Sequence, residues 1–333
     1  MDINDIKCLK WNKSNFKQSY ELDCTKYTLA LKPSCWLNLK TRGCPLKVSY
    51  LGQTNRLASL DNLNIITVHD WSKANIKTIK SKYTHTSKLT NLSSNYSGNQ
   101  IATCSDNGKI QLWNFKFSNC MMSTEFRGHY QSVRYIAYST NNNYLISCSN
   151  DKTFKIWDCQ TTKFLASNMF HHNWVNEAKF FKENKVVVSC SRDSRIQVFD
   201  CCSGKCVAKF NLSPDYAETL ALQEEFSIAV GTQQGTVQVF DLRALKVVQK
   251  YSEHTSQVNC IQYQYKTPCL VSVSKDKKLN VYDTNEGRFL YSIDHFNEIK
   301  TMDISSDDQL LATTYFHFDN EVKIKILVKL SVI

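Results

Sequence analysis

Short runs in which apolar and polar residues alternate recur along the chain, with turn residues between them. Strict alternation over a few residues is the signature of a β-strand with one face buried. In one stretch the runs are VRYIAYS, YLISCS, FKIWD and KFLASNMF, four strands in succession. The third run of each such group can be followed through the sequence as NIITVHD, IQLWN, FKIWD, IQVFD, VQVFD, LNVYD and VKIKILV. Those seven runs predict seven groups of four strands and an all-β protein.

Two ladders of single residues keep step with the runs. His85, His129, His171, His254 and His295 are each followed four residues later by an aliphatic residue, at spacings of 44, 42, 83 and 41. The interval of 83 is two periods with one histidine missing. The third runs end on Trp113, Trp157, Phe199, Phe240 and Tyr282, at spacings of 44, 42, 41 and 42. Four strands in a period of ~42 residues are one propeller blade, and a blade must pack against neighbours to cover both of its faces. The expected fold is a single seven-bladed β-propeller over residues 26–333, preceded by an extension of residues 1–25. The last blade lacks a downstream outer strand. The alternating segment KYTLALK, Lys26 to Lys32, is expected to supply it and close the ring, because an unpaired edge invites aggregation.

The residues that carry this period resemble the WD-repeat family. Gly128-His129 through Trp157-Asp158 matches the family's Gly-His and Trp-Asp hallmark. The resemblance implies a structural hydrogen-bonded tetrad in each well-kept blade. By position, these are His129, Ser147, Asp151 and Trp157; His171, Ser189 and Asp193 with Phe199 in the Trp place; and His254, Ser272 and Asp276 with Tyr282 there. A phenylalanine has no indole N–H to donate, so the second set is expected to be the weaker. The fifth repeat has Gln234 at the Asp position and the second has Asn107, so both are expected to depend on apolar packing.

Composition adds an ample supply of core residues, 42% hydrophobic and 12% aromatic. Fourteen cysteines do not read as a disulfide framework: Cys104, Cys148 and Cys190 share one repeat position, which places each thiol in a different blade, and no CxxC occurs. The N-terminus carries Asp2 and Asp5 with no apolar stretch after them, and no run approaches the ~18–20 apolar residues of a membrane span. An intracellular, cytoplasmic protein is expected, with the nucleus as the alternative. No P-loop, GxGxxG, HExxH or GxSxG motif is present. The adjacent His171 and His172 suggest a metal site, but His171 stands in register with the tetrad histidines. The expectation is a protein that is not an enzyme, with no cofactor, no metal and no small-molecule substrate.

A partner would meet the loops that follow the repeat histidines and the turns before the tetrad aspartates. Trp174 and Arg192 lead the candidates, with Lys275, and with Arg134, Asn176 and Asn259, which each follow the valine that begins a first strand. The net charge of +11 favours an acidic partner, a tubulin surface, an acidic protein tail or RNA. FLASNMFHHNWVNEAKF, TVQVFDLRALKVVQKYSEHTSQVN and KKLNVYDTNEGRFLYSI resemble, in order, stretches of the centriolar WD-repeat family called proteome of centriole, type one. That resemblance implies a scaffold of a centriole, basal body or cilium that contacts microtubules. SIAVGTQQGTVQVFDLR and QLLATTYFHFD resemble blades of the spindle-checkpoint and messenger-RNA-export group, which implies a peptide-binding propeller. An adaptor in an RNA-processing or ubiquitin-ligase complex is the third possibility.

Overall fold

The computed structural model describes residues 36–41, 45–52, 56–70, 77–80, 87–116, 119–181, 184–223, 227–308, 310–315 and 322–328. Among them every regular element is a β-strand. The chain begins with β1 (Trp36–Thr41). Sheet 1 follows as β2 (Pro45–Tyr50), β3 (Arg56–Asp61), β4 (Ile66–Asp70) and β5 (Lys77–Lys80). Sheet 2 is β6 (Leu89–Ser94), β7 (Gln100–Ser105), β8 (Ile110–Lys116) and β9 (Asn119–Phe126). Sheet 3 is β10 (Val133–Tyr138), β11 (Tyr144–Ser149), β12 (Phe154–Asp158) and β13 (Phe164–Asn168). Sheet 4 is β14 (Val175–Phe181), β15 (Val186–Ser191), β16 (Arg195–Asp200) and β17 (Lys205–Asn211). Sheet 5 is β18 (Ala217–Gln223), β19 (Ser227–Thr232), β20 (Val237–Asp241) and β21 (Lys246–Tyr251). Sheet 6 is β22 (Val258–Tyr263), β23 (Cys269–Ser274), β24 (Lys278–Asp283) and β25 (Arg288–Asp294). The remaining sheet is composite: β26 (Ile299–Ile304), β27 (Leu310–Tyr315) and β28 (Val322–Val328), with β1 paired on β28.

This overturns the expectation of seven like blades closed by Lys26 to Lys32. Six sheets are four-stranded units completed by continuous chain. The strand on β28 is residues 36–41, in register from Trp36 opposite Leu327 to Thr41 opposite Val322, while 26–32 lies outside the described residues. The physical reason is reach. WLNLKT alternates as KYTLALK does, and only residues 42–44 separate it from β2. The inner strands β2, β6, β10, β14, β18, β22 and β26 pack each on the next, and β26 packs back on β2. There the Asp303 carboxylate accepts the Tyr50 N–H at 2.7 Å.

The core lies between adjacent sheets. Second strands such as VVVSCS and CLVSVS are buried along nearly their whole length, because neighbouring sheets cover both faces. Outer strands such as KCVAKFN alternate exposed and part-buried residues. Between sheets 4 and 5, Val188, Ile196 and Val198 pack with Leu220, Ile228, Val230 and Phe240. Each fully buried aliphatic side chain there contributes about 1.5–3 kcal/mol. Sheets 5 and 6 approach closely at Gly231, where a Cβ would lie 2.5 Å from Val258.

A second set of contacts joins the sheets through the turns between their first and second strands. Asn142, Asn184 and Asp308 sit there at φ of 63°, 67° and 59°, a left-handed conformation that Asn and Asp tolerate better than most residues. Each side chain reaches into the preceding sheet. Asn142 Oδ1 accepts the Tyr96 N–H at 2.7 Å, Asn184 Oδ1 the Thr140 N–H at 3.2 Å, and the Asp308 carboxylate the N–H groups of Tyr265 and Lys266 at 2.9 and 2.6 Å.

Candidate partner-binding site

The loops before the inner strands and the turns between second and third strands meet on one face. In sheets 2 to 6 the turn amide donates to the loop carbonyl: Asp106 to Lys88, Asn150 to Ser132, Arg192 to Trp174, Gln233 to Tyr216 and Lys275 to Gln257, at 2.9–3.1 Å.

Beneath these loops lie the tetrads. In sheet 3, His129 Nδ1 is 2.7 Å from Asp151 Oδ2 and Nε2 is 2.7 Å from Ser147 Oγ, and the Trp157 indole donates to the same Oγ at 2.8 Å. In sheet 4, His171 pairs with Asp193 at 2.9 Å and with Ser189 at 2.8 Å. In sheet 6, His254 pairs with Asp276 at 2.8 Å and with Ser272 at 2.7 Å, and the Tyr282 hydroxyl lies 3.4 Å from Ser272 Oγ. His85 is outside the described residues, yet sheet 2 keeps part of the network. Trp113 Nε1 donates to Thr103 Oγ1 at 2.8 Å, and Ser105 donates to Asn107 at 2.6 Å. Burial alone would raise the Asp151 carboxyl, but hydrogen bonds and charge from His129, then Thr153, pull it down to about 2. Asp193 and Asp276 are lowered for the same reasons. The Ser-His-Asp sets thus brace loops, and each serine is wholly buried: Ser147, Ser189 and Ser272 are 0% exposed. His172 lies exposed in its loop, and its backbone N–H donates to Asp193 at 2.9 Å.

Each inner strand carries a β-bulge at its second residue, which puts Leu46, Thr90, Arg134, Asn176, Glu218, Asn259 and Lys300 out of register with their partners. A bulge re-aims a side chain. Three of these side chains bind the next inner strand: Thr90 donates to the Val133 carbonyl, Asn176 to Ala217 at 2.9 Å and Asn259 to Ile299 at 2.8 Å. Asn176 and Asn259 are therefore stitches between sheets.

Arg134 and Glu218 enter a different arrangement, around Trp174. The Arg192 guanidinium lies over the Trp174 ring at 4.9 Å and Arg134 at 5.6 Å. Arg192 also lies 5.3 Å from the Tyr216 ring and donates to Glu218 Oε1 at 3.0 Å. Trp174 keeps 37% of its surface exposed. Sheets 3, 4 and 5 thus build one cluster of two guanidiniums, two aromatic rings and one carboxylate. Lys275 is exposed on its turn in sheet 6. Tyr216 and Glu218 were not among the sequence candidates, although they occupy the repeat positions of Trp174 and Asn176 one period later.

Comparison with known proteins agrees with the repeat. The family described as WD domain, G-beta repeat matches residues 76–114, 119–158 and 163–200. The nucleolar protein 10-like N-terminal domain matches residues 209–317. Together they support a WD-repeat propeller. Human pre-mRNA-processing factor 17 is 27% identical over 190 residues, 56% of this chain and 25% of that protein. The U3 small nucleolar RNA-associated protein 15 homolog of Xenopus laevis is 25% identical over 218 residues, 64% of this chain and 41% of that protein. Apoptotic protease-activating factor 1 of Danio rerio is 22% identical over 215 residues, 65% of this chain and 17% of that protein. The matched stretch therefore spans well under half the length of each of these relatives.

Proposed function

We propose that this chain is a non-catalytic scaffold that docks protein partners within an RNA-processing assembly of the nucleus or nucleolus. The observation that carries the docking role is the Trp174 cluster. Trp, Tyr and Arg are the residue types that dominate interface energetics, and the tetrads hold the loops that present them. The RNA-processing context is supported by the nucleolar protein 10-like match over sheets 5 and 6 and into the composite sheet. The names of two relatives, a pre-mRNA-processing factor and a U3 small nucleolar RNA-associated protein, point the same way. The microtubule and centriole reading rests on resemblance in three stretches and has no such support.

The test is sedimentation of the tagged full chain from nuclear extract, with and without ribonuclease. The chain should travel in a large complex that ribonuclease disperses. Trp174→Ala should release it, at an unchanged melting temperature. A cytoplasmic chain that pellets with polymerised tubulin would overturn the proposal and restore the centriolar reading.

A further inference from the structure

We infer that Arg134 and Arg192, braced by Trp174, form a receptor for a single carboxylate side chain in an acidic peptide segment of a protein partner. The inference deepens the docking reading and rests on it.

Charge on this part of the face does not balance. Two guanidiniums converge on Trp174, and one carboxylate, Glu218, answers them. Glu218 is itself nearly covered, with 7% of its side chain exposed, and its contact is with Arg192. The Arg134 guanidinium has neither an ion-pair nor a hydrogen-bond partner among the described residues. Arg192 Nε is buried and likewise has no acceptor. A buried donor without an acceptor, as Arg192 Nε is, is unfavourable, and the part-exposed guanidinium fork of Arg134 matches the two oxygens of a carboxylate. One further negative charge would bring the cluster to two of each sign.

Arg134 is also held in a way a surface arginine is not. The bulge in β10 lifts it out of the strand register, and the Trp174 ring flanks its head group. Burial, and then the like charge of Arg192, lower its pKa, which marks a pair of cations kept close without full compensation. An acidic peptide fits better than RNA. Both aromatic rings already carry a guanidinium, whereas single-stranded nucleic acid is gripped by open aromatic faces on which bases stack.

Fluorescence anisotropy of the full chain with three labelled probes tests this: hexaglutamate, hexaglutamine and hexauridylate. Hexaglutamate should bind at least roughly tenfold more tightly than either of the others. Arg134→Gln should weaken hexaglutamate by roughly tenfold, whereas Lys275→Gln, which removes the same charge from the same face, should change it by less than about twofold. Glu218→Gln, which removes the internal competitor, should tighten it. Melting curves confirm that each variant is folded. Equal losses in Arg134→Gln and Lys275→Gln would show attraction to net charge alone and overturn the inference. So would no binding of hexaglutamate, or preferred binding of hexauridylate that Arg134→Gln abolishes. If hexaglutamate fails while Trp174→Ala still releases the chain from its nuclear complex, the carboxylate receptor falls and the docking role stands.

Discussion

Sheets 3 and 5 share one strand order and nearly one set of strand lengths, yet different forces hold them. Sheet 3 joins its loop, second strand, turn and third strand through His129, Ser147, Asp151 and Trp157. Sheet 5 has Ser213, Val230, Gln234 and Phe240 at the same repeat positions. Val230 and Phe240 are buried in the apolar cluster shared with sheet 4, and Phe240 meets Phe210 at 5.0 Å between ring centroids. In place of the histidine-carboxylate bond stands a weak contact from the Gln234 N–H to Asp215 Oδ2 at 3.4 Å. The four-stranded unit therefore does not require the tetrad. Where the network is present, its members have committed buried polar groups to one another, and losing one strands the rest.

The largest effect expected from that difference is at Asp151. Asp151→Ala leaves His129 buried without its anionic partner and should destabilise the protein by about 3–5 kcal/mol in chemical denaturation. Asp106→Ala, on an exposed turn, should stay within about 0.5 kcal/mol. Equal losses would show that the sheet 3 network contributes nothing special.

Acid should expose the same asymmetry. The Asp151 carboxyl titrates at about 2 in the folded chain, below its ordinary 3.8. A depressed folded value means that the stabilisation is fully present above the unfolded value and is lost as pH falls from about 4 to about 2, to the extent of about 2 kcal/mol. The lowered Asp193 and Asp276 add to the loss in the same direction. Stability measured between pH 5 and 2 should fall less steeply for Asp151→Asn than for the unaltered chain. A parallel slope would remove Asp151 from the acid response.

The smallest effect converts sheet 3 toward sheet 4. Trp157→Phe removes the indole donor from Ser147 and should cost about 1–3 kcal/mol, the lost hydrogen bond plus part of the lost ring volume. His129 should stay on Asp151, as His171 stays on Asp193 beside Phe199. A shifted His129 ring in the variant's NMR spectrum would show that the indole, and not the carboxylate, sets the histidine's position.

The tetrads were legible only through the WD-repeat resemblance, which carries its His, Ser, Asp and Trp positions onto this chain. Thr103 escaped notice because Asn107 at the Asp position set the second repeat aside as apolar, although a hydroxyl accepts the indole proton whether or not a carboxylate follows it. The closing strand was misplaced because two alternating segments precede the first sheet, and alternation cannot choose between them. Around Trp174, sequence register placed Trp174, Arg192 and Arg134 on one face. Arg134 and Glu218 are aimed into the cluster by bulges that no residue pattern announces. Tyr216 and Glu218 escaped notice for a simpler reason: without a histidine in its loop, sheet 5 offered no marker from which to count.

The turns occupied by Asn142, Asn184 and Asp308 bear on how such a ring could be cut and rejoined. Each of these side chains completes the turn of the sheet before its own, so the piece that folds as a sheet is not the piece that is chemically self-sufficient. A sheet transplanted into another ring would arrive able to cap its predecessor but dependent on a stranger to cap its own turn. A graft that spans one left-handed turn through the next, Thr140 to Asn184 for instance, would carry one amide together with the acceptor that serves it and leave only the contacts at its two ends to the host ring.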